Sequence, residues 1–287
     1  MALVTSNEMI LNAQKGGYAI PAFNVENMEM AMAVIQAAEE MRSPVILQTT
    51  PSTVKYAGTA MYAAMVYTLA RTAAIPIAIH LDHGESFALA AQAIRDGYTS
   101  IMIDGSHQSF EDNITLTCKV VEMAHACGIP VEAELGKVGG KEDDLDGGES
   151  DNNTNPAQAA EFVERTGADF LAVAIGTAHG VYTKTPKIDI DLLRKIRATV
   201  DIPLVLHGTT GVDSQIVRQC IEAGMCKVNY ATELRIAYSD GIKEALIENP
   251  EVFDPKTYGR AGMAKVKEVA TKNILLCMSN GKAQAQV

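Results

Sequence analysis

The chain has 287 residues, of which 47% are hydrophobic and 21% are charged, and its formal net charge at pH 7 is −11. This length is sufficient for a large buried core, and α/β barrels of this size commonly form one domain. The acidic balance argues against broad binding to nucleic acid or to an anionic membrane surface.

Short apolar runs alternate with helix-favouring stretches along most of the chain. The runs predict buried strands at residues 17–25, 43–50, 75–83, 100–106, 130–136, 169–180, 202–208 and 226–232. Among the helical stretches, residues 57–74 are rich in Ala, Met and Leu, and residues 86–97 begin with a Ser cap and end with Gly. Eight such units indicate a parallel sheet covered on both faces, and predict an α/β fold of the (β/α)8 TIM-barrel type over residues 1–287, with extra C-terminal helices.

Three absent sequence signals narrow the class of protein. No GxGxxG motif follows the first predicted strand, which disfavours a doubly wound dinucleotide-binding sheet. The five cysteines are scattered and form no CxxC pair, which is typical of reduced thiols in a cytoplasmic enzyme. The N-terminus lacks a basic segment followed by an apolar one, and no apolar run approaches the roughly 18 residues of a membrane span, so we expect neither a signal peptide nor a transmembrane helix.

One long insertion, residues 136–156, separates the fifth predicted strand from the next helix. Its sequence, GKVGGKEDDLDGGESDNNTNP, is rich in glycine and acidic residues and has almost no large apolar side chains. Loops of this length are usually functional or disordered. We expect a mobile loop that covers the catalytic face of the barrel.

Three of the predicted strands end in histidine, namely His83, His179 and His207. A parallel barrel places the carboxyl ends of all its strands on one face, so these imidazoles should converge there. Three neutral imidazoles leave the fourth position of Zn²⁺ open for substrate, which is the pattern of a catalytic site; imidazole also suits other divalent ions. His80 lies three residues before His83, a spacing that places strand residues on opposite faces, so we expect it to pack or to support the site.

Carboxylates flank the predicted metal ligands. Asp82 directly precedes His83 at a strand end, where it can serve in proton transfer, with the orientation of an imidazole as the alternative role. Asp104 and Glu134 end neighbouring strands, and either orient histidines or form a second, weaker metal position. Glu142, in the glycine-rich insertion, is a candidate acid or base that enters the site when a loop closes.

Glycines and hydroxyl groups follow the last three predicted strands. Barrels often bind phosphate with backbone N–H groups after the seventh and eighth strands, and glycine permits the close approach. The candidate substrate-binding residues in this region are Gly180, Gly208, Thr209, Thr210, Asn229, Tyr230, Ala231 and Thr232. Asn24 and Thr50 end the first two strands, so they should face the same cavity.

Seven segments stand out by their length and order. They are YAIPAFNV, LDHGES, MIDGSH, VEAELGKVGGKEDD, AVAIGTAHGVYTKTPKIDI, PLVLHGTTGV and KVNYATELR. Together they resemble the class II, metal-dependent fructose- and tagatose-bisphosphate aldolases, over about residues 5–282. The GTAHGVYTKTPKIDI stretch is more similar to the tagatose branch.

The resemblance implies that Zn²⁺, held by His83, His179 and His207, polarises the ketone of dihydroxyacetone phosphate and stabilises its enediolate, without a lysine Schiff base. It implies that Asp82 protonates the aldehyde oxygen in condensation and removes that proton in cleavage, and that Glu142 exchanges the proton next to the ketone. The glycines and hydroxyls after the last strands would bind the C1 phosphate, with a monovalent cation (Na⁺ or K⁺) nearby. A homodimer or homotetramer is also implied.

The chain departs from the family pattern in two places. After the seventh strand, relatives usually read HGASG or HGGSG, whereas this chain reads HGTTG and keeps a hydroxyl at Thr210. Near the C-terminus, many bisphosphate-specific members carry Asn-Arg, whereas here Lys282 supplies an ammonium without the bidentate fork of arginine. Arg260 is a further candidate to bind the distal phosphate, by reaching a neighbouring subunit.

The leading hypothesis is reversible cleavage of a ketose 1,6-bisphosphate, tagatose ahead of fructose, to dihydroxyacetone phosphate and an aldehyde such as glyceraldehyde 3-phosphate. A ketose 1-phosphate with a different distal group is the alternative substrate. Two other classes are a zinc-dependent barrel hydrolase, in which Asp82 activates water, and a non-catalytic partner subunit of an aldolase. Barrel amidohydrolases carry an HxH pair at the end of the first strand, where this chain reads AFNV, and this difference disfavours the hydrolase. A non-catalytic subunit should have lost the three histidines, which are all present in this chain.

Overall fold

The computed structural model describes residues 3–142, 145–146, 153–180 and 186–283, with the backbone alone at 141–142 and 145–146. Eight parallel strands close into a barrel, as the alternation of apolar runs and helices predicts. In their order around the barrel, the strands are β1 (Ile20–Asn24), β2 (Val45–Thr49), β3 (Ile77–Gly84), β4 (Ser100–Ile103), β5 (Val131–Leu135), β8 (Phe170–Val173), β10 (Leu204–Leu206) and β11 (Met225–Tyr230).

Three short strands lie outside the barrel. They are β6 (Gly139–Glu142), β7 (Leu145–Asp146) and β9 (Ala178–His179), and they form a small sheet in the order β7-β6-β9. The predicted strand at residues 169–180 is therefore two elements, a barrel strand and β9. Part of the insertion at 136–156 is β structure rather than loop, while 143–144 and 147–152 of that insertion lie outside the described residues.

Helices connect the strands and pack against the outside of the barrel. They are α1 (Ser6–Gly16), α2 (Met28–Met41), α3 (Pro51–Ala57), α4 (Thr59–Ala70), α5 (Phe87–Asp96), α6 (Phe110–Ala126), α7 (Pro156–Thr166), α8 (Ile190–Arg197), α9 (Ser214–Glu222), α10 (Thr232–Glu248) and α11 (Pro255–Leu276). As predicted, α5 begins after a Ser86 cap, whose hydroxyl accepts the Leu89 N–H, and ends at the left-handed Gly97. Within the described parts of the chain, no helix is both long and apolar enough to cross a membrane.

The first helix, α1, closes the amino-terminal end of the barrel. Met9, Ile10 and Ala13 on its buried face pack against inward side chains of the strands, such as Ile46 and Phe170. A larger apolar cluster fills the space between the outer face of the barrel and the surrounding helices. The apolar plug shields the lower end of the barrel interior from water, so polar groups above it lie in a dry environment.

Three strands place polar side chains inside the barrel at positions two residues apart, while their alternate residues pack outward. These inward pairs are His80 and Asp82 on β3, Glu132 and Glu134 on β5, and Lys227 and Asn229 on β11. Side chains inside a parallel barrel stack in layers, so the pairs form a lower and an upper polar layer. The upper layer lies at the carboxyl ends of the strands and belongs to the site described next.

Candidate metal centre and active site

The structure brings the three predicted metal ligands together at the carboxyl-terminal face of the barrel. His83 lies near the end of β3, His179 ends β9, and His207 directly follows β10. The ring centroids are separated by 5.0 Å for His83 and His179, 4.8 Å for His83 and His207, and 5.9 Å for His179 and His207. One nitrogen from each ring lies within 4.8 Å of the others, which is the arrangement that one divalent ion requires.

An unusual backbone conformation turns His83 toward this centre. Regular alternation after the inward Asp82 would point the next side chain outward. His83 instead has φ of 48°, in the left-handed region that costs a non-glycine residue energy, and the pairing with β4 shifts register between Leu81 and Gly84. The expectation that His80 and His83 face opposite sides of the strand is therefore wrong, because both side chains point into the barrel.

Two carboxylates fix which nitrogen faces the centre in two of the three imidazoles. His83 Nδ1 lies 2.9 Å from Asp104 Oδ2, and His207 Nε2 lies 2.9 Å from Glu132 Oε1. The remaining nitrogens, His83 Nε2 and His207 Nδ1, face each other at 3.1 Å. Two ligands of a tetrahedral Zn²⁺ at Zn–N distances of about 2.0 Å would lie about 3.3 Å apart, so the spacing fits such an ion.

A buried carboxylate oxygen supports the same assignment. Glu134 Oε2 lies 3.6 Å from His207 Nδ1 and 3.9 Å from His83 Nδ1, and it has no hydrogen-bond partner among the described residues. Together with Asp104, Glu134 and His83 form a second group of potential ligand atoms within 4.8 Å of one another. A buried carboxylate oxygen without a partner is costly, so a cation at this position would compensate it.

The electrostatics of the site favour a cation. Burial lowers the pKa of His179 well below its usual value, and burial also lowers the pKa of His207. Burial opposes protonation of His83 as well, but Asp82 and Asp104 outweigh it and raise the pKa of His83 well above its usual value. Burial, together with the charge of Asp104, raises the pKa of Glu134 well above its usual range. The carboxylates that raise the pKa of His83, and that contribute with burial to the shift of Glu134, also attract a divalent ion.

Three amide groups bind the carboxylate of Asp82. Asn24 Nδ2 and Gln48 Nε2 donate to Oδ2 at 2.9 Å and 3.1 Å, and Asn229 Nδ2 donates to Oδ1 at 3.0 Å. Burial acts to raise the pKa of Asp82, but the charges of His83, His207 and Lys227 outweigh burial and hold that pKa below its usual range. Asp82 is therefore an ionised, oriented carboxylate beside the metal ligands, as a general base requires.

Three buried polar residues next to this site are not among the predicted site residues. Gln48 binds Asp82, and Glu132 bridges His207 to Lys227, whose ammonium is 2.8 Å from Glu132 Oε2. Burial acts to raise the pKa of Glu132, but Lys227 and His207 lower it to about 2. One feature of the sequence marks these three residues. Each is a polar or charged residue inside an otherwise apolar predicted strand, two residues from a predicted site residue or from the end of the strand.

The predicted phosphate-binding residues surround the ends of β10 and β11. Thr209 Oγ1 donates to the Asn229 carbonyl at 2.6 Å, which ties the two strand ends together. Gly208 has φ of 68°, and a Cβ there would lie 2.6 Å from the Ala178 carbonyl oxygen, so glycine is required. After Ala231, whose side chain provides no cap, α10 begins at Thr232 and directs its first N–H groups toward this region.

Other predicted residues lie at or near the same face. Gly180 ends the described part of the loop after β9, with φ of 82°. Thr210 follows Thr209 and is partly exposed. Thr50 follows β2 and caps α3 by accepting the Thr53 N–H. The backbone of Glu142 ends β6, but its side chain lies outside the described residues.

The structure does not bring two predicted side chains to the site. Tyr230 points outward because it alternates with the inward Asn229, and its ring stacks on Phe23 with centroids 5.6 Å apart. Lys282 lies at the amino-terminal end of the barrel, where its Nζ is 5.3 Å from the centroid of the Tyr18 ring, ahead of β1. The chain reverses along α11, so residues after that helix end far from the carboxyl-terminal face. Arg260 is exposed in the second turn of α11.

The insertion after β5 is joined directly to His179, one of the three predicted metal ligands. In the parallel pairing of β6 with β9, Gly139 is opposite Ala178 and Gly140 is opposite His179. Gly140 has φ of 85°, and a Cβ at this position would overlap the His179 backbone. The position of His179 therefore depends on a glycine in the insertion, which the sequence analysis assigns only to a covering loop.

Comparisons with known proteins agree with this site. The family model described as "Fructose-bisphosphate aldolase class-II" matches residues 4–282. The YdjI aldolase from Escherichia coli K12 is 39% identical with a TM-score of 0.87, over 98% of this chain and 100% of that one. A putative fructose-1,6-biphosphate aldolase from Coccidioides immitis is 32% identical with a TM-score of 0.88, over 96% of both chains. The fructose-bisphosphate aldolase of Campylobacter jejuni shares the fold, with a TM-score of 0.81. It is 24% identical over 98% of this chain and 97% of that one.

His207→Ala is expected to abolish tight binding of a divalent ion, because it removes one of three imidazole ligands and leaves Glu132 without its imidazole partner. Zinc content after dialysis, measured by elemental analysis, checks this result. The control is His125→Ala, which removes a surface imidazole that contacts Asp169. Equal zinc content in His207→Ala and the wild-type protein would contradict the assigned ligand set.

Gly140→Ala is expected to weaken metal binding about 10-fold or more, because strain of ~1–3 kcal/mol would displace the His179 backbone. The dissociation constant for Zn²⁺, measured by competition with a chelator, tests this effect. Gly128→Ala is the matched control, since Gly128 has a similar φ of 71° but no atom near the added Cβ. If both variants bind Zn²⁺ equally well, β6 does not position His179.

Proposed function

Because the chain belongs to the class II fructose-bisphosphate aldolase family and is an aldolase, a carbon–carbon lyase, we propose that its substrate is a ketose 1,6-bisphosphate. Reversible cleavage would give dihydroxyacetone phosphate and an aldehyde such as glyceraldehyde 3-phosphate. The observation that carries the proposal is the convergence of three imidazoles beside the ionised Asp82. Tagatose is preferred over fructose in this proposal, supported by the similarity of the GTAHGVYTKTPKIDI segment to the tagatose branch.

His83, His179 and His207 would hold the ion, for which we propose Zn²⁺. A divalent ion bound there supplies a Lewis acid that polarises the ketone of the substrate. Asp104 and Glu132 hold the imidazoles in the tautomers that direct lone pairs to the centre. Glu134 provides a further carboxylate for a second position of the ion.

Asp82 is the proposed base for cleavage. It would take the proton of the C4 hydroxyl as the C3–C4 bond breaks, so that the C4 oxygen becomes the aldehyde carbonyl and the bonding electron pair stays on C3. In condensation, Asp82 returns the proton to the same oxygen. The amides of Asn24, Gln48 and Asn229 orient the carboxylate for both directions.

Glu142 is the proposed group that exchanges the proton at the carbon next to the ketone. This proposal is supported by the pairing of β6 with β9, which places the Glu142 backbone two residues beyond the partner of His179. A carboxylate on this segment can approach the substrate as the insertion closes over it. The insertion at 136–156 would then exclude water from the site.

The C1 phosphate would bind after β10 and β11. The support is the glycine at 208, the backbone of Thr209, the hydroxyl of Thr210 and the first N–H groups of α10, which lie after β10 and β11 and can donate to an anion. Gly180 would complete this phosphate site from the β9 side, and a monovalent cation near the phosphate remains part of this proposal.

A ketose 1-phosphate with a different distal group is the second candidate substrate. The position of Lys282 at the opposite end of the barrel favours it, because that ammonium cannot reach a distal phosphate in the same chain. Arg260 is exposed on α11 and would serve the distal group only across an interface, which is why a homodimer or homotetramer belongs to the proposal. The family match favours aldol chemistry over hydrolysis.

A panel of ketose 1-phosphates and 1,6-bisphosphates, assayed for release of dihydroxyacetone phosphate with and without a chelator, tests the proposed function. Chelator-sensitive cleavage that is fastest with tagatose 1,6-bisphosphate is the expected result. Faster cleavage of a ketose 1-phosphate would establish the second candidate. Failure to cleave any ketose phosphate, or full activity with the chelator, would contradict the proposal.

Asp82→Ala is expected to retain its metal but to lower kcat by roughly 10²–10⁴-fold, the usual contribution of proton transfer. Zinc content and steady-state kinetics on the best substrate measure the two effects separately. Asp240→Ala, which removes an exposed carboxylate on α10, is the control. An unchanged kcat in Asp82→Ala would exclude the assigned base.

A further inference from the structure

A buried ion pair lies inside the barrel, below the three imidazoles. Lys227 Nζ on β11 is 2.8 Å from Glu132 Oε2 on β5, and both side chains are 0% exposed. Lys227 is not among the residues that would hold the ion, bind the substrate or transfer a proton. The ammonium is covered on all sides, so it is not placed to react with a ketone.

The ion pair is connected to a metal ligand through the second oxygen of the same carboxylate. Glu132 Oε1 is 2.9 Å from His207 Nε2, and the other nitrogen of that ring faces His83 Nε2. A carboxylate at Nε2 holds the proton on that nitrogen and leaves the lone pair of Nδ1 directed at the ion. Lys227 is therefore linked to His207 indirectly, through the carboxylate of Glu132.

Two hydrogen bonds join the lower layer to the barrel plug. His80 Nδ1 lies 2.7 Å from Ser100 Oγ, which is in turn 2.7 Å from Ser6 Oγ on α1, the helix that closes the barrel. His80 Nε2 faces Glu132 Oε2 at 3.7 Å, too far for a hydrogen bond. Glu132 is therefore held by Lys227 and His207 rather than by His80.

Stability alone is a weak reason for this arrangement. Burying an ion pair costs desolvation energy that its attraction often does not recover, and apolar residues of similar volume are often as stable. Most of the neighbouring inward positions are apolar, including Ala78, Met102 and Val205. The pair lies where it contacts the imidazole of His207, which points to a role in the site.

We propose that Glu132 and Lys227 are positioning residues for the metal centre. Glu132 orients His207 and directs its Nδ1 to the ion, and Lys227 holds Glu132 in place and balances its charge. This inference rests on the proposed metal-dependent function. It concerns ion binding, so it can be tested without any sugar substrate.

The experiment compares Co²⁺ binding by the wild-type protein and three variants, Glu132→Gln, Lys227→Met and the double variant. The visible absorption spectrum of bound Co²⁺ reports ligand geometry, and chelator competition gives the dissociation constant. Glu132→Gln is expected to raise the dissociation constant about 10–100-fold, as is usual for partners of metal ligands, and to change the spectrum. Lys227→Met is expected to shift both measurements in the same direction, because Glu132 loses its ammonium partner.

The double variant separates positioning from simple stability. It leaves no unpaired buried charge, so its melting temperature is expected to exceed that of either single variant. Its Co²⁺ affinity is nevertheless expected to stay at the level of Glu132→Gln. If a single variant does not fold, the double variant still decides the question. Wild-type affinity and spectrum in the double variant would overturn the inference and leave a purely structural ion pair.

Ser6→Ala is the control, since it removes a buried hydroxyl that bonds to Ser100 and not to Glu132, Lys227 or His207. Its Co²⁺ affinity and spectrum are expected to equal those of the wild-type protein. Absence of Co²⁺ binding by the wild-type protein would contradict the proposed function together with this inference. Variant-sensitive Co²⁺ binding in a protein that cleaves no ketose phosphate would support the inference and contradict only the proposed substrate.

Discussion

The orientation of imidazoles by buried carboxylates is the interaction on which the rest of the site depends. An imidazole can present either nitrogen to an ion, and its second hydrogen bond selects which one. Asp104 makes that selection for His83, and Glu132 makes it for His207. With both rings fixed, the two remaining nitrogens approach to 3.1 Å, a distance at which they can share a proton or hold one metal ion. Asp82 then lies next to this centre as an ionised carboxylate.

The closed barrel allows several charged side chains to be buried close together. Inward positions two residues apart repeat on β3, β5 and β11, so polar side chains stack in two layers above the apolar plug of α1. Carboxylates predominate in the upper layer, which raises the affinity of the site for a cation. The lower layer contains Lys227, which compensates Glu132. The barrel thereby separates the groups that contact the ion from those that support them.

Backbone geometry contributes as much as side-chain chemistry to the position of the ligands. His83 reaches the centre through a left-handed conformation, and His179 lies on a two-residue strand paired with the insertion after β5. Glycines at 140 and 208 pack so closely on the 178–179 backbone that no other residue fits. The insertion after β5 and the segment that carries His179 are thus physically joined.

The barrel, and the positions of the three histidines and Asp82 at or near strand ends, can be read from the sequence, because apolar runs that stop at polar residues and alternate with helical stretches leave a local signal. Which of these residues meet depends on how the barrel closes. The tertiary structure added Gln48, Glu132 and Lys227, since contacts across a barrel join strands that are far apart in the chain. It also placed Lys282 at the opposite end and turned Tyr230 outward, because the direction of α11 and the phase of β11 fix those side chains in space.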